Sequence, residues 1–256
     1  MLRPLLTAMT GLGLALAACA DPSVAPSATT ATPITDPANV AAEEPAVPTD
    51  PNDAATEATP ASSPARAEVS FEWTVADATR EALGSSWNEG CPVAVEELQT
   101  LSMTHWDDDQ SVVSGDLVIH RDHVQDIVAV FRKLFDARFP IHLMQPITAF
   151  AGDDNESMRA NNTSGFNCRE IDGRPGVWSQ HSYGGAIDIN PLVNPWVRGA
   201  QVDPAEGVAY LDRDPAVTGL IVAGDVATSA FAAIGWGWGG DWTSSLDYQH
   251  FSHNGR

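Results

Sequence analysis

Apolar and polar positions divide the chain into three stretches. Leu12 to Ala18 form a short apolar run after the basic Arg3, with too few residues for a membrane-spanning helix. Residues 20–68 then show no apolar periodicity at all. From residue 69 onward the pattern becomes that of a folded chain. Val69, Phe71 and Trp73 alternate as in a strand, and a short helical stretch after them is ended by Gly84. Val93 to Met103 hold a short helix or turn followed by a strand, and Asp116 to His120 read as another strand. The clearest helix follows, with Val124, Ile127, Val128, Phe131, Leu134 and Phe135 at helical spacing. Asp122 is placed to cap its start and Phe139-Pro140 to stop it. Ile141 to Met144 make the next strand. Residues 151–163 are polar and turn-rich, which predicts a surface loop, and Pro191 to Asp214 predict a second, longer one. Gly224-Asp225 precede a second helix, whose buried side is Val226, Ala230, Phe231 and Ile234. A glycine- and tryptophan-rich run, Gly235 to Trp242, comes next. It either walls a cleft or fills the core.

The chemistry concentrates in Trp178 to Asn190, read W-S-Q-H-S-Y-G-G-A-I-D-I-N. Ala186 to Asn190 alternate, so Ile187 and Ile189 face a core while Asp188 and Asn190 face the other way. A carboxylate between two buried β-branched residues needs a balancing charge, and a divalent cation supplies one. His181 lies seven residues before Asp188, and the C-terminal Asp247-Tyr248-Gln249-His250 offers a further imidazole with a carboxylate three residues ahead of it. Two histidines and one carboxylate, with a fourth position open to water, is the ligand set of a catalytic zinc.

These residues carry a resemblance. Ser179 to Asp188 match the S-x-H-x-x-G-x-A-x-D signature of zinc D-alanyl-D-alanine peptidases of the VanY and VanX kind. Asp247-x-x-His250 resembles the acid-x-x-His motif that closes their site, and Asn161 to Arg169 resemble the segment that supplies a substrate-facing arginine. The resemblance runs from about residue 85 to the end. It implies an α+β fold, a small antiparallel sheet with helices packed on it, of the hedgehog/DD-peptidase type. It also implies one zinc ion on His181, Asp188 and His250, with Asp247 as general base, Arg169 on the oxyanion or a substrate carboxylate, and Ser179 hydrogen-bonded to substrate. The partner so implied is a peptidoglycan stem peptide that loses its terminal D-alanine. An endopeptidase of the L-alanyl-D-glutamate type and a non-catalytic wall-binding module, as in hedgehog domains, are the other outcomes. Ser252 stands where many relatives carry an acid, and Asp247 where the dipeptidase branch has glutamate, which leaves the cleaved bond open.

Each assignment has a plainer competitor. His253 is the rival ligand, and Arg159 the alternative arginine. Arg169 could instead pair with Asp172 or Glu170. His105, His120, His123 and His142 read as structural histidines. Asp107-Asp108-Asp109 read as a solvated turn, because the alternation, glycine and distal glutamate of a calcium loop are missing.

Composition and cysteines set the compartment. Residues 20–68 hold nine of the eighteen prolines, no aromatic residue, and one base, Arg66, against eight acids. Such a segment buries too little apolar surface to offset its ordering entropy and is expected to be a disordered tether. The net charge of -21 leaves no basic stripe for phosphates, so nucleic acid is not a partner. Leu16-Ala17-Ala18-Cys19 resembles a bacterial lipobox, so residues 1–19 are expected to be a signal peptide with Cys19 acylated. An ordinary secretory signal is the alternative. The chain would then sit on the outer face of the cytoplasmic membrane through a lipid anchor, with residues 69–256 as the peptidase domain. In oxidising surroundings Cys91 and Cys168 are expected to pair, the alternative being two separately buried thiols.

Overall fold

The structure, a computed structural model, describes residues 69–256. The expected signal peptide, Cys19 and the tether lie outside the described residues. Strands β1 (Trp73–Asp77), β2 (Leu98–Trp106) and β3 (Val112–His120) form an antiparallel sheet, with the four-residue helix α1 (Arg80–Leu83) between the first two. Leu101, Met103 and His105 on β2 point inward while Ser102 and Thr104 do not, which is the period-2 pattern of a half-buried strand. Helix α2 (Val124–Asp136) lays its apolar stripe on this sheet. All six of the residues that define its period are buried, and Val130 joins them.

The ends of α2 differ from the sequence expectation. Asp122 does not cap it: a 3-10 turn, Arg121–His123, intervenes, and His120 Nδ1 accepts from the Asp122 N–H. Strand β3 runs straight into that turn, so the ring at the strand's end takes the capping role. The C-terminus closes before Pro140, because Arg138 takes a left-handed conformation at φ 54° and Phe139 N–H bonds back to Leu134 O.

Both expected loops contain regular structure. Residues 151–163 hold helix α3 (Asp154–Arg159), after a two-residue strand β4 (Leu143–Met144) and before β5 (Asn162–Thr163), its parallel partner. Asp153 caps α3 through Oδ1 to Glu156 N–H. Beyond β6 (Ala186–Asp188), residues 191–214 hold the hairpin of β7 (Trp196–Arg198) and β8 (Gln201–Asp203). Pairing overrides the polar, proline-rich composition here: β7 is held by β8 on one side and by β10, near the C-terminus, on the other.

Helix α4 (Val226–Ala233) is capped by Asp225 and packs against α2. Its buried side is Ala227, Ala230 and Phe231, whereas Val226 is only half-buried. The remaining strands, β9 (Gly237–Trp238), β10 (Leu246–Asp247) and β11 (His250–Ser252), complete two more antiparallel sheets, ordered β6-β11-β9 and β10-β7-β8. Phe231 and Phe251 stack at 4.0 Å between ring centroids, tying α4 to β11. Trp236 and Trp238 are core residues. The fold is therefore α+β as expected, with three small antiparallel sheets rather than one. Cys91 and Cys168 form a disulfide with Cα atoms 5.8 Å apart. Closing so long a loop contributes about 4 kcal/mol in the chain-entropy account. Among the described residues no helix is long and apolar enough to cross a membrane.

Candidate active site

Two local structures bring the motif residues together. His181 sits in a 3-10 turn, Gln180–Tyr183, whose N-cap is Ser179: the Oγ accepts from His181 N–H at 3.3 Å. Gly184 ends the turn at φ 63°, and a Cβ there would lie 2.5 Å from His120 N, so the turn needs glycine on both counts. The chain then enters β6. Its partner β11 runs antiparallel in a register that sets His250 directly opposite Asp188. Directly opposed residues of a ladder project from the same face, so strand pairing alone puts the second imidazole beside the carboxylate.

His181, Asp188 and His250 are all buried, and each offers a ligand atom within 4.8 Å of the others. His181 Nε2 lies 3.1 Å from Asp188 Oδ2 and 3.2 Å from His250 Nδ1, which in turn lies 3.0 Å from Asp188 Oδ1. The outward nitrogens settle the tautomers. His181 Nδ1 is 2.7 Å from the Gly165 carbonyl, and His250 Nε2 is 3.3 Å from the main-chain oxygen of Arg256. When both rings are neutral and donate outward, two imidazole lone pairs and a carboxylate converge, and a proton or a cation must supply the charge between them. That is an arrangement for a cation, with the outer carbonyls orienting the ligands. Gly165 can supply its carbonyl because it has no side chain: a Cβ would meet Val118 O at 2.4 Å.

Burial would raise the Asp188 carboxyl, but the charges and hydrogen bonds of His181 and His250 overturn this and hold it well below the usual carboxylate range. Burial likewise works against a charged His250, yet Asp188 and then Asp247 raise its pKa. A proton and a cation therefore compete for His250 Nδ1.

Asp247 pairs with Trp196 across β10 and β7, so the segment expected as a loop over the site instead supports this acid. Its Oδ1 is buried without a partner. Burial, with the charge of Asp188 added, pushes the carboxyl up to about 7 against the opposing charges of His250, His181 and Arg169. A carboxylate poised near neutrality has the pKa of a general base.

Arg169 is anchored by neither Asp172 nor Glu170. Its Nη2 lies 2.8 Å from Asp154 Oδ2, and its Nε is buried with no acceptor. Its main chain is bound to the His181 turn: the N–H donates to Ser182 Oγ, and the C=O accepts from Ser179 N–H. Arg159 pairs with Glu156 and Glu206 and lines a separate cavity with Asp108, His142 and Tyr210. His253 packs on His123, 5.2 Å between centroids, outside the three-ligand group. His105 is buried against the Trp106 carbonyl, with its pKa lowered by burial, and His142 bonds Asp108. Trp242 closes one side of the site, 5.4 Å from His250, with its Nε1–H on the Gly255 carbonyl.

Sequence reasoning missed three contributors: Asp154, the Gly165 carbonyl and the Arg256 main-chain oxygen. Two are main-chain atoms, which no motif encodes. Asp154 lies beside the α3 cap in a run of acids where nothing marks one from another.

Residues 172–253 match a family model described as D-alanyl-D-alanine carboxypeptidase. The matched stretch is less than half of the chain and contains His181, Asp188, Asp247 and His250. It excludes Arg169, Asp154 and both cysteines of the disulfide. No match was found among curated proteins or among solved structures.

Proposed function

We propose that this chain is a zinc-dependent D-alanyl-D-alanine carboxypeptidase that trims peptidoglycan stem peptides at the cell surface. The carrying observation is the convergence of three acceptors, from His181, Asp188 and His250, with the Asp247 carboxyl near enough for its charge to act on theirs and its Oδ1 buried and unpartnered. The family likeness of residues 172–253 supports the peptidase class. His181 Nε2, His250 Nδ1 and the Asp188 carboxylate would hold the ion, and two imidazoles favour zinc over magnesium or calcium. When bound, such an ion supplies Lewis acidity toward water and toward a carbonyl oxygen.

The chain's own residues do the rest. Asp247 Oδ1 takes the proton of the attacking water and returns it to the leaving amine, which departs as free D-alanine. The Arg169 guanidinium, with Nε–H unpartnered, stabilises charge developing on the carbonyl oxygen or holds a substrate carboxylate. Ser179 keeps its hydroxyl proton for the substrate while its lone pair caps the His181 turn. In this reading residues 1–19 direct export, Cys19 carries the lipid anchor, and residues 20–68 tether the domain to the outer face of the cytoplasmic membrane.

Digestion of purified muropeptides by the full chain, with mass analysis, tests the reading. Loss of one alanine, abolished by a chelator and restored by zinc, is the expected result. Cleavage inside the stem would replace the carboxypeptidase by an endopeptidase. No hydrolysis of any wall peptide would leave a binding module.

A further inference from the structure

Arg169 is held at both ends. Its backbone is fixed by the His181 turn and by the neighbouring Cys168, which is bonded to Cys91 and donates its N–H to Ser86 O. That leaves the long side chain free to choose among many rotamers, so something further must place the guanidinium. The contact that does so is Asp154 Oδ2 on Nη2 at 2.8 Å. The other carboxylate oxygen, Oδ1, accepts from Asn167 Nδ2 at 3.1 Å, and Asn167 N–H bonds the carbonyl of His181. An unbroken chain of contacts thus runs from the His181 turn through Asn167 and Asp154 to the arginine head. Both partners of the ion pair are largely shielded, with side chains 34% and 25% exposed, unlike the surface pairs that contribute little. Asp153, not Asp154, caps α3; Asp154 sits in the first turn, where an acid favours the helix, but its two carboxylate oxygens are spent on Arg169 and Asn167.

We propose that Asp154 is a positioning residue, whose carboxylate holds the Arg169 guanidinium so that its unpartnered Nε–H stays available to the substrate. This rests on the role given to Arg169 above.

The test is a double-mutant cycle in the full chain: wild type, D154A, R169A and D154A/R169A, with Asp154→Glu as the conservative variant. Asp154→Ala is expected to lower kcat/KM by about tenfold to a hundredfold, the scale of a misplaced catalytic contact. Zinc content should stay near wild type while Tm falls modestly, because Arg169 and Asn167 each lose a shielded partner. D154E should recover part of the loss in kcat/KM, and D154A should add nothing to that loss once Arg169 is alanine. Equal losses from D154A in both backgrounds would make Asp154 merely structural and overturn the proposal. A silent R169A beside an inactive Asp247→Asn would also overturn it, while leaving the peptidase reading intact. If the wild type cleaves no wall peptide, the peptidase reading fails by itself. The Arg169 Nε–H signal in nitrogen NMR then decides: a slowly exchanging proton lost in D154A supports the placement, and one unchanged in D154A refutes it.

Discussion

The β6–β11 ladder and the flank formed by Asp247 and Arg169 treat their polar atoms in opposite ways. In the ladder and the turn that feeds it every side-chain nitrogen and oxygen of His181, Asp188 and His250 has a neighbour, and the outward ring nitrogens are tied to main-chain carbonyls. On the flank, Asp247 Oδ1 and Arg169 Nε are buried and unpartnered. The same contrast divides the two acids. Asp188, between two imidazoles, is held ionised, whereas Asp247, half-buried as a residue but with its Oδ1 buried and without a hydrogen-bond donor, rises to about 7. A saturated constellation suits a resident ion. Orphaned atoms suit partners that come and go, and buried orphans are uncommon enough to mark where they do.

The sharpest way to break this comparison is to remove a ladder ligand. His250→Ala should abolish both bound zinc, measured by elemental analysis, and hydrolysis. It should also unsettle the fold, because Asp188 would lose a partner while remaining buried. Retained zinc at wild-type stoichiometry in that variant would show that the ion sits elsewhere.

Asp247→Asn should act on the flank alone, lowering kcat by about 10²–10⁴-fold with zinc retained. The pH profile sharpens this. Asp247 works as a base when deprotonated, so the rate should fall as pH drops through its pKa of about 7, and a bound cation moves that limb to lower pH. A single limb approaches a tenfold loss per pH unit below the pKa. The residual rate of D247N should lack this limb.

The smallest effect is expected from the outer carbonyls. Deleting Gly255 and Arg256 removes the acceptor for His250 Nε2–H and for Ser252 Oγ. Zinc affinity, read by competition with a chelating dye, should weaken by about 10–100-fold, with residual activity at saturating zinc. Unchanged affinity would mean that Asp188 orients His250 unaided.

Much of the ladder was legible because its logic is local. The alternation of Ile187, Asp188 and Ile189 sets which way the carboxylate points, and two short motifs, Ser179 to Asp188 and Asp247-x-x-His250, mark the candidate ligands and base. The apolar spacing of α2 needed no partner to be read. Failures fell where a distant segment decided the outcome. Residues 191–214 look like loop although they form the β7–β8 hairpin, and the second partner of β7, the distant β10, is also what holds Asp247. Helix α3 is too short for periodicity to reveal, and its Asp154 meets Arg169 only because strands β4 and β5 turn the chain back. Asp122 lost its expected role for a similar reason: β3 ends in a 3-10 turn capped by His120, and α2 then starts after His123 with no side-chain cap.

Sequence by itself singled out the candidate ligands later found together, the face Asp188 presents and the helix that backs the sheet. These depend on periodicity and on contacts a few residues apart. Only the tertiary structure decided that His250 stands opposite Asp188, that the ring protons point outward, that Asp247 is driven toward neutrality and that Asp154 grips Arg169. Those outcomes depend on burial and on charges brought together from separate strands, and neither has a value until the chain has closed around them.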